Sequence, residues 1–183
     1  MDKSFDIIVF GATGFTGRLV AEYLNTTTYG VGKTVRWAMA GRSAAKLAQV
    51  RDELGIDAAL PLLVADAGDE AALMALVKQT RVVLTTVGPY QRFGEPLIRA
   101  CASAGTDYVD LCGEPGWMAQ MIPKLQETAH ASGARIVFSC GFDSIPFDLG
   151  VLLLQDEMLR RHGAPAPRVR GRVRKMKGTF SGG

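Results

Sequence analysis

The chain has 183 residues, 48% of them apolar and 21% charged, with 21 glycines and a net charge of +3. That balance excludes disordered, collagen-like and disulfide-stapled chains and suits one globular α/β domain plus the start of another. No stretch reaches the roughly 18 apolar residues of a transmembrane segment, and Met1-Asp2-Lys3-Ser4 opens no signal peptide, so a cytoplasmic location is expected.

Apolar runs suited to buried strands recur at Phe5 to Phe10, Val35 to Ala40, Leu60 to Ala65, Val82 to Val87, Tyr108 to Leu111 and Arg135 to Ser139. Helical segments separate them, and this alternation predicts a Rossmann-type doubly wound parallel sheet. Leu19, Val20, Tyr23 and Leu24 share one face of the first helix, and Leu73, Leu76 and Val77 one face of the third. A fourth helix is expected from Glu95 to Ala104 and a fifth from Trp117 to Ala131, with Gly105 and Gly133 as stops. Ser144 and Pro146 then open a helix carrying Leu149, Leu152, Leu153 and Leu154, which ends near Gly163. Ala164 to Pro167 reads as an extended linker, and Val169 to Met176 as a strand.

The first strand runs directly into Gly11-Ala12-Thr13-Gly14-Phe15-Thr16-Gly17, which opens a helix. In this strand-turn-helix setting Gly11 permits the sharp turn, Gly14 lets the backbone approach a pyrophosphate, and Gly17 lets helix and strand lie close. Free amides at the helix start face the anion, Thr13 and Thr16 add hydroxyls, and Phe15 covers the loop or packs beneath it. No Walker-type loop of a triphosphate hydrolase is present: Gly32-Lys33-Thr34 lacks the leading glycine of that motif, the position being Thr27.

An NAD-specific site carries an acidic residue about 20 positions on, at the end of the second strand, to bind the ribose hydroxyl. Here that place reads Gly41-Arg42-Ser43, with a guanidinium that grips a 2′-phosphate and stacks on adenine, so NADP(H) is favoured over NAD(H). Asp66, beside Ala67 at the end of the third strand, either accepts the adenine amino group or caps the next helix. Val87-Gly88-Pro89-Tyr90 follows the fourth strand and lies along the cofactor towards its nicotinamide, which makes Tyr90, Gln91 and Arg92 the first residues to meet a substrate.

Two later segments reach the same sheet edge: Asp110 to Glu114 and Ser139 to Pro146. Asp143 is either a substrate-facing carboxylate or a helix cap. Cys101, Cys112 and Cys140 lack metal or disulfide spacing and read as small packed thiols, and His130 as a helix-end residue. No metal site is indicated. A Tyr-x-x-x-Lys pair of the short-chain dehydrogenase type occurs only at Tyr29 and Lys33, remote from the expected site. The last 24 residues hold eight basic side chains and no acid; they read as a solvated strand rather than a nucleic-acid patch.

Together GATGFTG, the Ala40-Gly41-Arg42-Ser43 turn, VGPY, YVDLCGE and GFDSIPFDLG resemble the saccharopine-dehydrogenase-like oxidoreductases, in the branch that includes bacterial trans-acting enoyl reductases. The resemblance implies nucleotide contacts at Gly11, Thr13, Gly14, Phe15, Thr16, Arg42, Ser43, Asp66, Gly88 and Pro89. It also implies that Asp110 and the Cys140 to Asp143 turn face the active-site cleft, and it supplies no catalytic acid. Saccharopine reductases carry Gly-x-Asp-Pro-Gly where this chain has Gly-Phe-Asp-Ser-Ile-Pro, a departure that argues against saccharopine itself as substrate. Residues 1–163 would then be the nucleotide-binding domain, and 164–183 the linker and first strand of a substrate domain that this fragment lacks and through which a homodimer could form. The expected activity is hydride transfer to or from a small or lipid-like substrate, the isolated fragment being inactive; the alternative is a non-catalytic NADP-binding redox sensor of the NmrA-like type.

Overall fold

Strand and helix alternate along the chain, of which this computed structural model describes residues 3–26, 35–175 and 177. The strands are β1 (Phe5–Phe10), β2 (Trp37–Gly41), β3 (Leu62–Val64), β4 (Thr80–Thr85), β5 (Asp107–Asp110) and β6 (Ile136–Val137). The helices are α1 (Phe15–Thr26), α2 (Ala44–Glu53), α3 (Glu70–Val77), α4 (Tyr90–Ala104), α5 (Pro115–Ser132) and α6 (Ile145–His162). All strand pairs are parallel, in the order β3-β2-β1-β4-β5-β6. This is the doubly wound Rossmann arrangement, in which the winding reverses between β1 and β4.

The pleat explains why the strands are apolar throughout. Ile8 and Phe10 face one side, packed in a core with Leu73, Leu97, Ile98 and Met121 from α3, α4 and α5. Val9 faces the other, packed with Ala21, Leu24, Leu47 and Val50 from α1 and α2. Successive side chains of a strand point to opposite faces, and helices cover both.

Several expectations shift. The buried stripe of α1 is Gly17, Ala21 and Leu24, whereas Leu19 and Tyr23 are exposed. Small residues win that face because α1 lies nearly on the β1 turn: a Cβ on Gly17 would stand 2.2 Å from the Gly11 carbonyl oxygen. Helix α4 begins at Tyr90, not Glu95, and carries Pro96 inside it. Pro favours a helix start, which is why the sequence suggested one there. Gly105, Gly133 and Gly163 do end α4, α5 and α6 in left-handed conformations.

Residues 169–175 form no strand, having no ladder partner among the described residues. Instead the segment after α6 turns back along it: Ala166 exchanges two backbone hydrogen bonds with the Gln155 side chain (2.7 and 3.0 Å). The Tyr29–Lys33 pair lies outside the described residues. No described helix is long and apolar enough to cross a membrane.

Candidate functional site

The carboxyl ends of β1, β2, β3 and β4 bring the predicted residues to one edge of the sheet. The Gly11–Gly17 turn follows β1, Gly41 to Ser43 ends β2 and leads into α2, Asp66 and Ala67 follow β3, and Val87 to Tyr90 joins β4 to α4. A cleft of about 390 Å³ opens over the β1/β4 switch. Its walls are Gly14, Phe15 and Thr16 from the start of α1, Thr86, Gly88, Pro89 and Tyr90 from the β4–α4 turn, and Leu111, Gly113 and Glu114 from the β5–α5 turn.

The three glycines of the first turn are needed for different reasons. Gly11 has φ +91°, a conformation L side chains rarely adopt, and its Cβ would meet Val87 Cγ2 at 2.7 Å. Gly17 is fixed by its contact with the Gly11 carbonyl. Gly14 is constrained by neither, since its Cβ would meet only the Gly11 oxygen, at 3.4 Å. Gly14 is exposed and lines the cleft, so a Cβ there would occupy cleft space. The Thr86 hydroxyl, which the sequence did not single out, donates to the Gly11 carbonyl (3.1 Å) and ties the turn to the end of β4.

The first α1 amide bonded to a carbonyl four residues back is that of Arg18, on Gly14 (2.9 Å). The amides of Phe15, Thr16 and Gly17 precede it and lack such an acceptor, which is the ordinary condition of a helix start and suits an anion. A pyrophosphate therefore fits this cradle: donors, a bare Gly14 and the positive end of a 12-residue helix coincide.

At the end of β2, Arg42 is exposed and has no hydrogen-bond or ion-pair partner among the described residues. Ser43 caps α2, its hydroxyl oxygen accepting from Lys46 N at 3.3 Å, which leaves its O–H free to donate. Asp66 does not cap α3. That role belongs to Asp69, which accepts from Ala72 N at 3.0 Å, while Asp66 Oδ1 accepts from Gly68 N at 2.9 Å within its own turn.

Two expected substrate-facing groups turn inward. Tyr90 is buried, 4% exposed, its hydroxyl donating to the Thr85 carbonyl (3.2 Å) and accepting from Leu111 N (3.4 Å); burial raises its pKa far above that of a free phenol. Asp110 is 2% exposed and serves as a bracket: it accepts from Cys112 N (3.0 Å), Ser139 N (2.8 Å) and the Tyr108 hydroxyl (2.8 Å). Burial outweighs these bonds and pushes its carboxyl above the usual range. The Cys140 to Asp143 turn is not part of the cleft wall and lies behind Leu111, whose Cβ would be 3.2 Å from a Cβ on Gly141. Ser144 rather than Asp143 occupies the N-cap position of α6, and its side chain makes no capping hydrogen bond there.

The thiols are poor nucleophiles, since the thiolate is the reactive form. Burial pushes Cys112 up to about 11 and raises Cys101 and Cys140 as well. No group of three or more potential metal ligands exists among the described residues.

Glu114 is the cleft residue whose use the sequence could not show. Its carboxylate accepts from Tyr90 N (2.6 Å) and Gln91 N (2.9 Å), the first two residues of α4. Helix α4 thus begins at the cleft with its leading amides already bonded, while α1 begins there with its own open.

Fold and site together define a dinucleotide-binding domain. Residues 7–137 match the family described as saccharopine dehydrogenase NADP binding domain. The chain belongs to that family, and its cofactor is NADP(H). The trans-acting enoyl reductase of Mycobacterium bovis is 50% identical over 154 residues, 84% of this chain and 36% of that protein. Its namesake from Mycobacterium leprae is 49% identical over 153 residues, 83% of this chain and 36% of that protein. A relative from Mycobacterium tuberculosis is 46% identical over 182 residues, 99% of this chain and 42% of its own. This chain therefore spans between about a third and two fifths of the length of these relatives. Among solved structures, apo saccharopine dehydrogenase (L-Glu forming) from Saccharomyces cerevisiae superposes with a TM-score of 0.65 at 18% identity, covering 85% of this chain and 32% of that one. That likeness is one of fold.

Proposed function

We propose that this chain is the cofactor-binding part of an NADPH-dependent oxidoreductase that reduces a lipid-like enoyl substrate. The single observation that carries the reading is the cleft over the β1/β4 switch, with an open helix start on one side and, at the adjoining strand end, an exposed Arg42 that has no partner among the described residues. In this reading Gly11 to Gly17 hold the pyrophosphate on backbone amides. Arg42 and Ser43, beside Gly41, hold the 2′-phosphate, Asp66 and Ala67 border the adenine, and the Val87 to Tyr90 backbone runs along the nicotinamide end. NADPH, when bound, supplies a hydride for the β-carbon of an α,β-unsaturated thioester, which with a proton at the α-carbon becomes the saturated thioester.

Substrate class is supported by the walls and by the relatives' names. Of the described residues lining the cleft, the one charged group is the Glu114 carboxylate, already bonded to two α4 amides, so no cation there awaits a substrate carboxylate. Phe15, Pro89 and Leu111 present apolar surface instead. The lining hydroxyl without a hydrogen-bond partner among the described residues is that of Thr16, an alcohol too weakly acidic to supply the proton unaided, so the reading assigns the proton to solvent or to a second domain.

Such a domain is part of the proposal: residues 1–163 form the nucleotide-binding domain, and 164–183 lead into a substrate domain. Helix α6 supports this, because none of its 18 residues is buried although Leu149, Leu152, Leu153 and Leu154 are apolar. The test is NADPH oxidation followed by absorbance, with an enoyl thioester and with saccharopine, using a polypeptide of the relatives' length. Consumption with the thioester alone is expected. Tight NADPH binding with no turnover on any acceptor would favour a redox sensor and overturn the reductase reading.

A further inference from the structure

We infer that Glu114 is a positioning residue for the nicotinamide half of the cofactor, a role that rests on the cofactor register proposed above. Three helices begin at this cleft, α1, α4 and α5, the last with Glu114 at its N-cap position and Pro115, which lacks an N–H, next; a helix start left open attracts a phosphate. They are not equivalent. Glu114 reaches back from the β5–α5 turn and places one carboxylate oxygen on each leading amide of α4, Tyr90 N at 2.6 Å and Gln91 N at 2.9 Å. Charge-assisted bonds of that length are the strong kind, and the negative charge also offsets the positive end of the helix.

Two consequences follow for the cofactor. The pyrophosphate has one seat, at α1, so the dinucleotide cannot slide towards α4. The Gly88–Pro89 segment, which would border the nicotinamide, is held in place before the cofactor arrives, because the residue that follows it is pinned from the opposite wall. Tyr90 adds a second tie in the same direction, through its hydroxyl and Leu111 N at 3.4 Å. Glu114 is itself steadied: its amide donates to Cys112 Sγ at 3.3 Å, beside the Asp110 bracket. Nothing in this set touches the adenine end, where Arg42 lies at the end of β2.

That separation gives the test. Affinities for NADPH and for adenosine 2′,5′-bisphosphate, which carries the adenine end with its 2′- and 5′-phosphates but no nicotinamide half, are measured calorimetrically on the 183-residue chain. Glu114→Ala is expected to weaken NADPH by about tenfold, as befits losing bonds to a charged group, and to leave the bisphosphate within about twofold. Glu114→Gln keeps one carbonyl oxygen for one of the two amides and falls between. Unchanged or tighter NADPH binding by Glu114→Ala overturns the proposal, and so does an equal loss for both ligands, which would mark a general structural role. Arg42→Ala is the separate control on register: it should weaken the bisphosphate, and if it does not, the cofactor placement is wrong whatever Glu114 does. Enoyl turnover plays no part in these readings, so the reductase assignment and the Glu114 proposal fail independently.

Discussion

Gly14 and Gly17 sit three residues apart, yet a methyl group added to each has opposite consequences. On Gly17 the new carbon would lie 2.2 Å from a backbone oxygen and 2.8 Å from the Ala12 Cα, neither of which can swing away. Gly17→Ala should therefore push α1 off the sheet and cost about 1–3 kcal/mol, a melting temperature lower by several degrees. On Gly14 the nearest atom would be 3.4 Å away. Gly14→Ala should melt within about 2 °C of the wild type but bind NADPH at least about tenfold more weakly, its methyl standing where the pyrophosphate must come. Thermal melts and NADPH titration of the two variants check the pair; a stable Gly17→Ala or a fully binding Gly14→Ala would contradict it.

Elements were legible where the signal is local and hidden where it is distant. The six strands, the three left-handed glycine stops and the start of α6 can be read from neighbouring residues, because apolar runs, φ > 0 and a proline in the first turn act over a few positions. The start of α4 could not be, since Pro89 at its N-cap position has no capping side chain and its leading amides are bonded by Glu114, 24 residues on from Tyr90. For the same reason the sequence placed Tyr90 and Asp110 towards the substrate: their inward bonds to Thr85, Leu111, Cys112 and Ser139 depend on β4, β5 and the loop after β6 coming side by side. The glycine turn and Arg42 were readable because each lies at a strand end whose position the alternation already determines. Between elements, Asp6 joins β1 to its neighbours: it accepts from Arg36 N (3.0 Å) and the Arg36 guanidinium (3.0 and 3.2 Å), and Arg81 stands 3.7 Å away. The Arg36 side-chain bond, then its backbone bond, hold the Asp6 carboxyl below the usual range. A depressed carboxylate stabilises the fold above its unfolded-state pKa, and that contribution fades as pH falls through the folded-state value. As pH falls from neutral through the acid range below the ordinary carboxylate value, Asp6→Asn should lose less melting temperature than the wild type, by an amount worth under about 1 kcal/mol because the group is partly exposed. Parallel acid arms for the two proteins would remove Asp6 from the account.

At the scale of the whole molecule, α6 is the element that the rest of the described fold does not explain. An 18-residue helix with no buried side chain gains nothing from the core, although Phe147, Leu149, Leu152, Leu153 and Leu154 lie on it, between 42% and 72% exposed. A patch of this kind is usually covered in the working protein. The occupant that fits the proposed domain plan is the substrate domain, to which α6 and the returning 164–175 segment would be the bridge. Leu153→Glu discriminates, because Leu153 is the most exposed of these residues. In the 183-residue chain it should change stability by no more than about 0.5 kcal/mol while reducing the binding of a hydrophobic dye. In a polypeptide of the relatives' length the same glutamate would sit in an interdomain contact and should cost more than about 2 kcal/mol, the lost leucine burial plus an unpaired buried charge. Matched denaturant melts of both proteins measure the difference, and equal effects in the two would mean that α6 faces water in the longer protein too.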